Sequence, residues 1–284
     1  MSYTQIICLA NSSKHKERCI AGINPETAHW IRPVSLDYPE DGKVPWNTPV
    51  RHGNNTLTIE DINPLDILQI PLAVTGPDFG FTCENRAINP GEWVFLKKTK
   101  IHDVIPFVNF TLPILHNTQK YVAVPTLQAL AFEQRKSLDL IYTDSLKITR
   151  QQREGGGNKW KGSFATRGGY SLHEVTITDP EAFDLFASGI YPTNPCLVTM
   201  SLGMPYTFPE WTGPKDPCWK LIAGIIEISL ADQLLIEMHL LGWSIQQGQD
   251  YAMTTYGKST RAQLTDDEKN SFIHHLRQLS QASP

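Results

Sequence analysis

The chain lacks paired cysteines. Cys8, Cys19, Cys83, Cys196 and Cys218 are dispersed and odd in number, with no Cys-x-x-Cys among them. That excludes a zinc knuckle and a disulfide framework, and it reads as reduced thiols of a cytosolic protein. No run approaches about 18 apolar residues, so no membrane span is expected. Residues 1–10 carry neither a basic stretch nor a long apolar core, so they do not read as a signal peptide, and a soluble, cytoplasmic protein is expected. Positive charge is not in excess either. Lys and Arg number 25 against 29 Asp and Glu, a formal net charge of −4. This excludes a protein that coats nucleic acid by bulk charge, but not one with a local basic groove.

Catalytic signatures are missing as well. Asp61, Asp66, Glu84 and Asp103 are scattered acids, and no strand carries the Glu-x-Lys of a metal-dependent nuclease. Gly-x-Ser-x-Gly does not occur. The run Gly155-Gly156-Gly157 has no Lys-Ser/Thr ending and opens no helix, so it is not a P-loop. His274 and His275 are adjacent on an expected helix and point apart, so they do not share a metal. No catalytic residue, metal or cofactor is expected.

What is present is a chain of 284 residues that is 40% hydrophobic, enough for packed cores and about two domains. Its 20 Pro and 19 Gly are spread throughout, which favours many short elements. Apolar runs at residues 5–10, 19–23 and 30–34 start a β-meander, with a turn at Asn24-Pro25-Glu26. Residues 36–55 read as an irregular excursion. Strands are expected near 57–59, 66–74, 93–96, 122–124, 147–149, 162–165, 170–177, 196–202 and 219–228. About a dozen short strands suit either two small barrels or one sandwich. Residues 125–136 read as a helix, and Asp179-Pro180 caps another that runs to Phe186.

The character changes after residue 227. Residues 230–241 are apolar at helical spacing and end at Gly242. Ser244 with Gln247 and Thr265 with Glu268 form capping boxes for two further helices, the first ending at Gly257. A three-helix tail over 229–284 is expected.

Charge is unevenly placed. Residues 227–284 carry −3 and residues 1–226 carry −1, yet residues 145–170 hold six bases against Glu154 alone. In that segment Arg150, Arg153, Lys159, Lys161 and Arg167 are interleaved with Trp160. Cations for phosphates and a ring for base stacking are the mixture a nucleic-acid groove needs. Phe164 reads as core. The loop at Lys14, Lys16 and Arg18 offers three more bases to phosphates. Lys97, Lys98 and Lys100 extend the same positive character, or guard a strand edge. Each segment also has a plainer reading as a solvated loop or hairpin tip.

Several stretches resemble a known family. They run from Ala10-Asn11-Ser12-Ser13-Lys14, Arg18–22 and Trp30-Ile31-Arg32-Pro33-Val34-Ser35 through Asp66-Ile67-Leu68 and Cys83-Glu84-Asn85. Tyr170-Ser171-Leu172, Thr178-Asp179-Pro180, residues 199–206 and residues 219–226 complete the series. In this order they resemble the bacterial dual OB-containing domain family over residues 1 to about 228. The resemblance implies a mainly β chain with two tandem OB-like barrels, 1–110 and 111–228, before the helical module of 229–284. It implies nucleic-acid binding and no catalytic residues, and the basic and aromatic loops of the two barrels make single-stranded DNA or RNA the expected partner. The tail, with Leu241-Gly242-Trp243-Ser244 and Tyr256-Gly257-Lys258-Ser259-Thr260-Arg261, is similar to helical modules on cyanobacterial and phage DNA-associated proteins. There Lys258 and Arg261 offer a secondary phosphate contact. The alternative is an accessory or adaptor protein of a mobile-element, phage-defence or CRISPR-type system, docking a protein partner through the tail.

Overall fold

The computed structural model describes residues 3–14, 16–110, 113–152 and 158–282. Two antiparallel-rich sheets are built from them, one of eight strands and one of seven. The first holds β1 (Tyr3–Lys14), β2 (Glu17–Ile23), β3 (Trp30–Val34), β4 (Pro49–His52), β5 (Asn55–Thr58), β6 (Asp66–Pro71), β7 (Asn85–Ala87) and β8 (Trp93–Lys98). The second holds β9 (Tyr121–Ala123), β10 (Leu138–Thr143), β11 (Lys147–Gln152), β12 (Asn158–Ala165), β13 (Ser171–Ile177), β14 (Cys196–Pro205) and β15 (Pro217–Glu227).

The pairing makes each sheet a five-stranded OB barrel with additions. In the first, residues 3–7 of β1 pair with β6 and residues 7–14 with β2, across a bulge between Cys8 and Ala10 that lets one strand serve two neighbours. β2 pairs with β3, and β3 runs parallel to β7. The ring closes where Leu72, just past β6, bridges Ile88, just past β7. In the second barrel β10 and β11 play the part of the bent first strand. β10 pairs with β14, and β11 pairs with β12. β13 runs parallel to β15, and α2 (Pro180–Ala187) connects β13 to β14. Order and direction match in the two barrels. A parallel pair between the third and fifth strands is the OB arrangement, and it decides against a sandwich.

Alternation builds the two cores. Ile6, Cys8, Ile20, Ile31, Leu68 and Ile70 face into the first barrel. Trp160, Phe164, Val175, Ile177, Val198, Met200 and Ile222 face into the second. Asp179 caps α2 by accepting from the Ala182 N–H at 3.3 Å, and its other oxygen accepts from the Ile225 N–H at 3.0 Å. Burial nonetheless pushes its pKa up to about 6.

Three expectations change. The helix expected over 125–136 is only α1 (Val124–Gln128), followed by a 3-10 turn at Phe132–Gln134. The excursion of 36–55 contains β4 and opens the β4–β5 hairpin. The strand β10 falls where no strand was expected.

The barrels form one compact unit of residues 1–99, 107–192 and 196–226. Ala10, Ala21, Leu138 and Ala223 meet at their contact. A Cβ on Gly224 would lie 2.4 Å from the Leu9 carbonyl oxygen. Polar groups interlock beside these small residues. Arg32 donates to Ser137 Oγ at 3.0 Å and to Ser201 Oγ at 3.3 Å. Glu84 accepts from the backbone N–H of Ser137 at 2.6 Å and of Leu138 at 3.2 Å. All these partners are buried, which gives the interlock its strength.

The second unit gathers residues 100–106, 193–195 and 227–284. Its three α-helices are α3 (Leu230–Leu240), α4 (Ile245–Tyr256) and α5 (Asp266–Ala282), with a 3-10 turn at Arg261–Gln263. They make five α-helices in the described chain, three of them after residue 228. Both expected capping boxes form, and Gly257 ends α4 at φ +70. Leu234, Met238, Ala252, Phe272, Ile273 and Leu276 pack the core of this unit.

Candidate functional site

An OB barrel presents ligands to the outer face of its second and third strands and to the loops joining strands one to two and four to five. In the first barrel two of these elements are already occupied. Ala21 of β2 and Trp30 of β3 pack against Leu138 and Ala223 of the second barrel. The loop between β6 and β7 inserts Phe81, 1% exposed, into the second barrel's core. Its remaining loop holds Lys16, exposed at the hairpin turn with φ +71, and Lys14, which ends β1.

In the second barrel the outer face of β12 and β13 is open, as is the loop between β14 and β15. The register sets Lys159 opposite Gln151, and Lys161 opposite Thr149 and Thr176. These residues share the outer face, and Lys147 joins them opposite Ser163. Lys161 donates to the Thr176 hydroxyl at 2.9 Å. Burial, and then the charges of Lys159 and Lys120, push its pKa down to about 8. The three ammonium groups therefore form one repelling cluster, with Glu174 the acid that offsets it.

Beside the lysines lies an aromatic group. Tyr121 of β9 meets Trp219 of β15 at 5.5 Å between ring centroids and Trp211 at 4.9 Å. Phe208 meets Trp219 at 5.2 Å and Tyr206 at 4.9 Å. Trp219 Nε1 donates to the Tyr206 carbonyl at 2.8 Å, which fixes its ring. Most of these rings belong to the loop between β14 and β15 and its flanks. Tyr206 is 56% exposed and Phe208 44%. The Lys220 N–H donates to the Lys120 carbonyl at 2.8 Å, which ties Lys120 to the strand of Trp219.

Sequence reasoning found part of this. Lys159 and Lys161 lie on the open face. Lys120, Tyr121, Tyr206, Phe208, Trp211 and Trp219 were missed, although Tyr206, Phe208, Trp211 and Trp219 crowd into 14 residues between two strands. Trp160 must be corrected. It is 5% exposed and packs on Phe186 at 5.4 Å, so it has no face to offer a base. The period of two explains this, because Trp160 and Phe164 share an inward face. Arg18 is also corrected. It pairs with Glu60 at 2.7 Å with its side chain 14% exposed, and braces the barrel. Arg150 lies on the same face as Trp160, and its Nε donates to Asn158 Oδ1. The Arg167 guanidinium sits 5.3 Å from the Tyr142 ring centre. Arg153 lies outside the described residues.

Lys97 and Lys98 are exposed on β8, Lys98 opposite Asp66. Lys100 belongs to the helical unit. In that unit Lys258 is paired with Glu268, so its charge is already met, and Arg261 lines an apolar groove with Leu234, Ile245 and Phe272. Among the described residues no group of three or more His, Cys, Asp or Glu is placed to hold a metal, and no helix is long and apolar enough to cross a membrane.

The fold and this face define a tandem OB-barrel protein. The chain belongs to the dual OB-containing domain family, whose model matches residues 4–225. No curated protein and no solved structure matches it.

Proposed function

We propose that this protein binds single-stranded nucleic acid on the outer face of its second barrel. The observation that carries the reading is the asymmetry between the barrels. One has its ligand-binding strands and one of its loops packed away, while the other exposes them with lysines and aromatic rings side by side. Lys120, Lys159 and Lys161 neutralise phosphates, and Tyr206 and Phe208 offer rings to bases. Such stacking is worth roughly 1–3 kcal/mol per base. Lys14, Lys16 and Arg167 add charge at the margins. A single strand suits the site because stacking needs unpaired bases.

Anisotropy titrations with labelled single-stranded DNA and RNA test the proposal. Binding that weakens steeply between about 50 and 200 mM salt is expected. Absence of binding at about 50 mM salt overturns it.

A further inference from the structure

A cleft of about 530 Å³ opens between the two barrels. Its size is that of a small-molecule site, since such sites run to about 300–1,000 Å³. Phe79 and Phe81 line it from the first barrel, and Met204, Tyr206 and Trp219 from the second. Polar groups are placed among these apolar walls. Ser12, Ser201 and Arg32 are each more than nine-tenths buried and line the same space. The hydroxyls already donate within the protein, Ser12 to the Cys19 carbonyl at 3.4 Å and Ser201 to the Leu202 carbonyl at 3.3 Å, and each keeps acceptor capacity for the edge of a ligand. A planar heteroaromatic ligand satisfies both kinds of wall, with faces for the rings and edge donors for the hydroxyls.

One wall of the cleft adjoins the lysine cluster. Ser13 donates its N–H to the Thr178 carbonyl at 2.7 Å, and both residues line the cleft. Thr178 is two residues from Thr176, which holds Lys161, and Thr176 pairs with Leu221, another lining residue. Phe79 is held at φ +49, a conformation bulky side chains rarely adopt and one that collects at ligand sites.

We propose that this cleft is a nucleobase site that takes one base and its sugar, with the attached phosphate toward Lys161. As far as the base comes from a bound strand, the inference rests on the nucleic-acid reading above. A free nucleotide would use the same chemistry.

The test compares adenosine and uridine 5′-monophosphates, ribose 5-phosphate and labelled single strands. They are titrated into the full chain and into Met204→Trp, which fills the cleft. Ser13→Trp, at an exposed position, narrows the mouth and is the safeguard should Met204→Trp fail to fold. The mononucleotides are expected to bind and ribose 5-phosphate not to. Both variants should weaken the mononucleotides at least about tenfold and the strands several-fold, the scale of one base no longer stacked. If strands bind equally well to all three proteins and mononucleotides do not bind, the nucleobase site is overturned while strand binding stands. If mononucleotides bind in a cleft-dependent way and strands do not bind, the site stands with a free nucleotide as its ligand, and the strand reading falls. Binding of ribose 5-phosphate as tight as that of the nucleotides also overturns the site, because the base would then contribute nothing.

Discussion

Trp160 and Lys161 are neighbours in the chain and lie on opposite sides of β12. The indole is 5% exposed against Phe186, and the ammonium is 2.9 Å from the Thr176 hydroxyl on the outer face. Their roles should separate by mutation. Trp160→Ala is expected to cost about 3–5 kcal/mol of stability, seen as a lower urea midpoint. Strand affinity per folded molecule should not change. Lys161→Met should leave the midpoint nearly unchanged and weaken binding. A stable Trp160→Ala protein that no longer binds would reverse the assignment of faces.

The lysine cluster makes a prediction about salt. Removing Lys159 and Lys161 together should flatten the dependence of log affinity on log salt by about 0.7 for each phosphate no longer neutralised. Lys97→Ala with Lys98→Ala, on the first barrel, should leave that slope unchanged. Anisotropy titrations at several salt concentrations give both slopes.

Lys161 also makes binding sensitive to pH. Its pKa is about 8 in the free protein, where burial and the neighbouring lysines disfavour the charge. A phosphate beside it favours the charge, so the pKa rises on binding and a proton is taken up near pH 8. Affinity should therefore fall as pH rises from about 7 to 9. Calorimetry at about pH 8 in buffers of different ionisation heat detects the proton. Heats independent of buffer would place Lys161 away from phosphate.

Lys220 is the counterpart inside the fold. Its buried Nζ donates to the carbonyls of Ile114 at 2.7 Å and Asn117 at 2.5 Å. Burial lowers its pKa from 10.5 to about 8, and the charge of Asp139 opposes that shift. Lys220→Met should destabilise the protein by about 1–3 kcal/mol, because it leaves buried carbonyls without donors. The folded state holds fewer protons at this site than the unfolded state between the two pKa values, so Lys220 adds stability as pH rises through that interval. The gap between the native protein and Lys220→Met should widen there in urea unfolding curves. A constant gap would mean that Lys220 titrates normally.

Gly224 tests the contact between the barrels. Its Cβ position lies 2.4 Å from the Leu9 carbonyl oxygen, and backbone cannot step aside as a side chain can. Gly224→Ala is expected to lower stability by about 1–3 kcal/mol through overpacking, measured by thermal melting. An unchanged melting temperature would show that the barrels meet loosely.

Much of the fold was legible because local chemistry decides it. Asp179, Ser244, Thr265 and Gly257 each end or start a helix by a hydrogen bond or a left-handed turn that their type dictates. β10 was not legible. Asp139 sits among Leu138, Leu140 and Ile141 and accepts from Asn109 Nδ2 at 2.9 Å, a partner 30 residues away. The site was half legible. Lysines at alternate positions of β12 could be read, and the parity of Trp160 with Phe164 already argued for burial. The covering of the first barrel's face was not readable. It depends on Ala10, Ala21, Ala223 and Gly224 meeting across more than 200 residues of chain, and small residues carry no pattern of their own.

The interlock of Arg32 and Glu84 with Ser137 and Ser201 also bears on descent. Arg32 and Glu84 of the first barrel take buried partners from the second, so shedding the second barrel would strand two charges, and shedding the first would leave the hydroxyls of Ser137 and Ser201 and the N–H groups of Ser137 and Leu138 without these partners. Two barrels joined in this way are inherited as a pair.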